Sequence, residues 1–207
     1  ALMSGKVKLF PVEATLQSYK AVFEYKSIWV GYRNSMIYTV LGTVLSVVLT
    51  LLAAYPLSRE DFRGGKVFMS LFLFTMMFSG GLIPTYLLVK NLGLVNTMWA
   101  VILPGSVSAY NVIVARTFFK QNIPAELLEA AKVDGCSDFR FFISIVIPLS
   151  MPIVAVLALW VAVGQWNSYF NPMIYLNSEN KYTLQLILRR ILLMSQINLS
   201  SSNIDPA

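Results

Sequence analysis

Charged residues divide this chain into long uncharged windows. Arg33 and Arg59 bracket 25 residues without charge, "NSMIYTVLGTVLSVVLTLLAAYPLS". Lys66 and Lys90 bracket 23, and Lys90 and Arg116 another 25. Between Arg140 and Glu179 lie 38, of which about the first 25 are strongly apolar. A helix that crosses a bilayer needs about 20 such residues. The pattern predicts four transmembrane helices, near 34–57, 67–89, 96–118 and 141–165. A buried core helix accounts for any one of these windows, but not for four in succession. Residues 1–33, with Pro11, lysines and aromatics, predict an extramembrane segment with short amphipathic pieces. Residues 183–194, "TLQLILRRILLM", are too short and too charged to span, and predict an interfacial or loop helix.

Two of the windows carry breaks. "SGGLIP" (79–84) interrupts the second and Pro104-Gly105 the third, so both helices should kink or unwind locally. Irregular backbone at membrane depth is tolerated where protein or a wet cavity covers it. A translocation path and ordinary helix kinks both fit. Gly42, Ser46, Thr50 and Ala54 recur every fourth residue in the first window, and Ala155, Ala158 and Ala162 form a looser set. Small-residue stripes let helices approach closely in lipid. Contact with another subunit and contact within the chain are equally served.

Composition agrees with lipid as the solvent. The 207 residues are 57% hydrophobic and 13% charged, and mean hydropathy is +0.65. Soluble domains carry about 25% charged residues. The net charge of +6 suits anionic lipid, and nucleic acid is not implied. There is no histidine and one cysteine, Cys136, so neither an intrachain disulfide nor a Cys/His metal site can be built. Segments 57–66 and 116–140 share a side and hold seven basic residues; the positive-inside rule leans towards that side being cytoplasmic.

The segment "IPAELLEAAKVDG" (123–135) is unlike its surroundings. Pro124 suits a first helical turn. Glu126 and Glu129 complement the N-terminal dipole, and Gly135 stands where a left-handed cap ends a helix. A helix over 124–134 follows, with Leu127, Leu128, Ala130 and Ala131 as a shallow apolar face. Ser137 can cap a second helix that runs into 141–165. A rigid helix with a small-residue face and an exposed carboxylate suits docking into a groove of another protein; a solvated interfacial helix fits equally. Further on, "GQWNSYFNP" (164–172) interleaves amides with aromatic rings. That combination suits sugars, and it also suits the aromatic belt at a membrane surface.

Glu129-Ala130-Ala131, three residues, Gly135, nine residues, Ile145, one residue and Ile147-Pro148 resemble the EAA loop of ABC-importer membrane subunits. Ile147 stands where that pattern usually has Leu, and Asp134 before the glycine matches the sugar-importer form. "AAYPLSR", "GLIPTYLLVKNLGLVNT" and "VGQWNSYFNPMIYL" resemble carbohydrate permeases of the MalG type, in the branch for complex oligosaccharides and aldouronates.

The resemblance implies an all-α membrane protein: a type I importer permease (MetI-like) helical bundle of about four transmembrane helices plus a cytoplasmic coupling helix. It implies multi-pass residence in a bacterial cytoplasmic membrane. Members have six spans, so a first span before Ala1 and a last one after Ala207 are expected outside this chain. Residues 1–33 become extracytoplasmic, 34–165 the permease core with its EAA loop at 120–140 on the cytoplasmic side, and 166–207 an extracytoplasmic loop. The implied partners are a second permease subunit, two cytoplasmic ATP-binding subunits and an extracytoplasmic sugar-binding protein. The loop around 177–200 would meet the last of these. Glu129, Ala130, Ala131, Asp134, Gly135, Ile145 and Pro148 become the ATPase-coupling residues. Gln165, Trp166, Asn167 and Tyr169 are candidates for the substrate path. No catalytic residue, metal or cofactor is expected, and Gly65-Lys66 lacks the rest of a phosphate loop. ATP is therefore hydrolysed elsewhere. Two other classes remain in view, a secondary transporter or channel and a structural scaffold. Against ion coupling, the four windows hold no acid or base.

Overall fold

The computed structural model describes residues 24–202, and side chains to residue 196. The expectations for residues 1–23 and 203–207 lie outside that range. All regular elements among the described residues are helical.

Helix α1, Lys26–Ser58, is long and apolar enough to cross a membrane by itself. It begins eight residues before the expected start at 34, and the boundary at residue 33 falls inside it. Arg33 ends the apolar window but not the helix: a charge on the exposed side of a helix costs no backbone hydrogen bond. Pro56 enters the last turn, and Arg59 leaves the helix at φ −77°, ψ 141°.

The other three expected spans are bent pairs of helices. α2 (Gly65–Met77) and α3 (Leu82–Asn91) meet at 113°; Gly81 between them adopts φ +84°. α4 (Met98–Ile102) tightens into a 3-10 turn at Leu103–Gly105 and meets α5 (Ala109–Asn122) at 52°. Both breaks fall where Gly and Pro predicted them. The third pair corrects the reading of one helix through 141–165. α7 (Asp138–Leu149) and α8 (Met151–Trp166) meet at 79° around Ser150. Pro152 cannot donate to the carbonyl four residues back, and the Pro148 ring crowds that of Ser144. The chain answers with a π stretch at Phe142–Val146, where Ile147 N donates to Phe142 O. Thus one helix spans unaided, and four spans are reached when each bent pair counts as one.

Between α5 and α7 stands α6 (Ala125–Val133). After α8 follow α9 (Phe170–Tyr175) and α10 (Leu184–Ser202), the latter longer than the expected 183–194.

α1 is the central post, packed against α5, α8 and α10. Its small-residue stripe, Gly42, Ser46, Thr50 and Ala54, is buried throughout, so these contacts are made within the chain. Leu51, Leu57, Phe119, Phe141, Val146 and Leu157 form the heart of a core shared by α1, α5, α7 and α8. In contrast, α2 has no buried residue.

Polar groups near the start of α1 tie down the distal loops. Asn34 Nδ2 donates to the carbonyls of Asn180 (2.8 Å) and Tyr182 (3.0 Å), and Tyr38 Oη donates to Lys181 O. Ser35 Oγ accepts from Leu184 N at 2.9 Å, satisfying a donor at the start of α10. Asn96, at φ +61°, accepts on Oδ1 from the backbone of Asn177 and Ser178 and on its carbonyl from Lys181 Nζ.

Candidate functional site

α6 is built to end sharply. Pro124, expected as the first helical residue, is its N-cap at φ −61°, ψ 144°, so the helix starts one position later. At the other end Gly135 takes φ +73°. Gly135 N donates to Lys132 O (3.0 Å) and Cys136 N to Ala131 O (2.8 Å). This paired closure is a Schellman motif. It lets the chain turn at once into α7, whose first free donors are met in part by Ser137 Oγ, accepting from Arg140 N at 3.4 Å.

The two faces of α6 differ. Ala131 is buried and Leu128 half-buried, both packed on the central core. Glu126, Glu129, Ala130 and Val133 are exposed on the opposite side, Val133 at 89%. The alanine pair is therefore split: Ala131 anchors the helix to its own chain, and only Ala130 is open to a partner. This corrects the single small-residue face expected from composition, because successive helix positions lie about 100° apart. Among the described residues neither Glu126 nor Glu129 has an ion-pair partner. Asp134 caps α6 through its backbone and is exposed. Ile145 packs against the core and Pro148 is exposed on α7. These residues therefore share one end of the bundle without forming one surface.

A charged cleft of about 510 Å³ runs beside α6, between it, α5 and the end of α1. Its organiser is Arg59, which the sequence reading did not single out. Arg59 Nε and Nη2 grip both oxygens of Asp61 (2.8 and 2.5 Å), and Nη1 donates to Asp138 Oδ1 at 2.6 Å. Lys132 of α6 approaches Asp61 at 3.7 Å. Arg116 Nε holds the Leu57 carbonyl at 2.8 Å. Hydrogen bonds from Arg59 hold the Asp61 carboxyl down at about 2, and the hydrogen bond to Asp61 pushes the Arg59 guanidinium upwards. The ends of α1, α6 and α7 are thus joined by one ionic knot. Only "AAYPLSR" followed by two acids hinted at it; the partner Asp138 is 79 positions away.

The four residues expected on a substrate path lie at the far end of α8 and separate in role. Gln165 rests on Gly42 of α1, where an added Cβ would meet its Nε2 at 2.5 Å. Trp166 packs edge-on against Tyr32, ring centroids 5.6 Å apart. Asn167 Nδ2 returns to Val163 O, closing the helix end. Tyr169 lies beneath the Arg189 guanidinium, 4.2 Å from the ring centroid.

A chain with one continuous span, three broken ones and a capped, outward-facing helix between two of them matches a known architecture. Residues 27–201 fit the model of the binding-protein-dependent transport system inner membrane component. The chain belongs to that family. It is 44% identical over 194 residues to the polygalacturonan/rhamnogalacturonan transport system permease protein YtcP of Bacillus subtilis (strain 168), covering 94% of this chain and 68% of that one. Protein LplC of the same organism is 41% identical, with 94% and 66% covered. The arabinooligosaccharides transport system permease protein AraQ of Halalkalibacterium halodurans is 32% identical, with 88% and 66% covered. The chain thus spans about two thirds of the length of these relatives. Among solved structures, a bacterial ABC transporter involved in import of the acidic polysaccharide alginate superposes with a TM-score of 0.87 at 36% identity, over 92% of this chain and 68% of that one. The chain is therefore a multi-pass permease component of an ABC transport system in the cytoplasmic membrane, built as a helical bundle. The secondary-transporter, channel and scaffold readings are set aside. Components of this kind work with a partner permease, ATPase subunits and a substrate-binding protein.

Proposed function

We propose that the chain forms part of the translocation pathway of an importer for acidic oligosaccharides. It alternates between inward- and outward-open states as two cytoplasmic ATP-binding subunits close and open on α6. In this reading residues 120–140 face the cytoplasm, while residues 1–33 and 166–207 face outward, where a sugar-binding protein delivers substrate. The observation that carries the coupling reading is the exposed face of α6, where Glu129, without an ion-pair partner among the described residues, stands beside Ala130. An exposed carboxylate on a helix fastened to its own core suits a charge-assisted contact with a basic groove. Movement of the groove is then transmitted through Ala131, Gly135 and α7, into which the bends at Ile145–Pro148 and Ser150 are built. An acidic substrate is favoured over a neutral one by the uronate-rich polymers in the names of the 44% and 36% identical proteins. The net positive charge of residues 164–196, three bases against Glu179, is complementary to it.

The test is the complete transporter carrying Glu129→Lys. The subunit is expected to co-purify with ATP-binding subunits as the wild type and to lose that association, or its sugar uptake, when the charge is reversed. Uptake at the wild-type rate by the variant complex would remove Glu129 from the contact.

A further inference from the structure

Two adjacent arginines on α10 have different surroundings. Arg190 is occupied: Nη1 donates to Glu179 Oε1 at 2.8 Å, and its guanidinium lies 5.3 Å from the Tyr182 ring centroid. Arg189 is not. Among the described residues no carboxylate or other acceptor reaches it, and its one contact of note is the Tyr169 ring face, 4.2 Å away. Stacking of this kind steadies a guanidinium through its π face and uses none of its N–H donors. The result is a positioned cation with five donors unspent.

The setting is concave. A cleft of about 330 Å³ opens between α9 and α10, where apolar Met173, Leu176, Leu186 and Leu193 share the lining with Tyr182, Arg189 and Arg190. Tyr169 and Phe170 beside it are 39% and 46% exposed. The chemistry on offer is asymmetric. A neutral sugar presents hydroxyls that both donate and accept, and it is served by amides and carboxylates. The free groups of Arg189 only donate, so they fit an acceptor-only partner of negative charge. A carboxylate meets that need with two parallel bonds to the planar fork. The apolar lining and the tyrosine suit the C–H face of a pyranose ring.

We propose that Arg189, held on Tyr169, binds the carboxylate of a uronic acid residue as the oligosaccharide enters from the end of the bundle formed by α8, α9 and α10. This rests on the acidic-oligosaccharide reading above and names the residue that reads the acid. Gln165, Trp166 and Asn167 are spent on packing and capping, so the contact falls to Tyr169 and to a residue twenty positions further on.

The experiment uses the complete transporter in phosphatidylcholine vesicles, with this subunit wild type or carrying Arg189→Gln or Arg189→Lys. Uptake of trigalacturonate is compared with that of its methyl ester, and each ratio is normalised to the wild type to cancel the preference of the binding protein. Arg189→Gln is expected to raise KM for the acid roughly ten- to a hundredfold, the loss of one charge-assisted contact, with the ester little changed; Arg189→Lys restores part of the difference. Equal loss for acid and ester assigns Arg189 to packing and overturns the proposal, as does an unchanged KM for both. A wild type that carries no acid overturns the substrate reading itself, whereas a wild type that carries it as well as Arg189→Gln does overturns only the assignment to Arg189. A deficit that appears for both substrates only when phosphatidylglycerol is added assigns the guanidinium to a lipid headgroup and overturns the proposal too.

Discussion

Two glycines of α1 look alike in the sequence and differ in what surrounds them. At Gly42 an added Cβ meets Gln165 Nε2 at 2.5 Å, the far end of a flexible side chain. At Gly31 it meets Ile187 Cδ1 at 2.5 Å, and the Leu184 backbone at 3.1 and 3.2 Å. Backbone cannot swing aside as a terminal amide can. Gly31→Ala is therefore expected to destabilise the packing of α10 by about 1–3 kcal/mol, and Gly42→Ala by less. Thermal unfolding of the assembled, detergent-solubilised complex should rank them in that order. Gly135 is a third case. Its surroundings are open, but its φ of +73° makes Gly135→Ala cost about 1–2 kcal/mol through backbone strain alone. The expected sign is weaker docking of α6, measured as lower retention of ATP-binding subunits.

At the level of elements, the ionic knot around Arg59 decides how α6 moves with the bundle. Asp61 has a folded pKa of about 2 against an ordinary 3.8. A depressed carboxylate stabilises the folded form above its ordinary value, and that contribution fades as pH falls towards 2. In a carbon-13 titration the Asp61 carboxyl should thus turn over near 2, and Arg59→Gln should return it towards the ordinary value. The same substitution is expected to lower uptake per ATP hydrolysed while leaving Glu129 free to dock. Lys132→Ala should matter little, because a half-exposed pair at 3.7 Å contributes at most about 1 kcal/mol. The π stretch before Pro148 and the bend at Ser150 belong to this scale as well. They form where two prolines four residues apart each remove a backbone donor.

Across the whole molecule, the proposed orientation puts α6 and the end of α8 on opposite sides of the membrane, with one span between them. Cys136 is the sole cysteine, so replacing it leaves a clean background. In Cys136→Ser, an impermeant maleimide should label Val133→Cys from the cytoplasmic side only and Asn177→Cys from the opposite side only. Labelling of both from one side would overturn the orientation. Helix α2 leans on α1 and α5 yet has no buried residue, with Met77 81% exposed.

Solvent class, the two glycine- and proline-rich breaks and the α6 helix with its Gly135 cap were legible in the sequence. Each depends on local chemistry: runs of apolar residues, missing donors and one left-handed turn. The family was legible too, since its motif is a fixed spacing. What the sequence left open needed partners far along the chain. Only the fold sends the small-residue stripe of α1 inward, buries Ala131 rather than Ala130 and joins Arg59 to Asp138. Only the fold lays Arg189 on Tyr169 while Arg190, its neighbour, is paired with Glu179. Local pattern determines what a segment can be; burial and charge pairing depend on which segments meet, and that is decided by packing around α1.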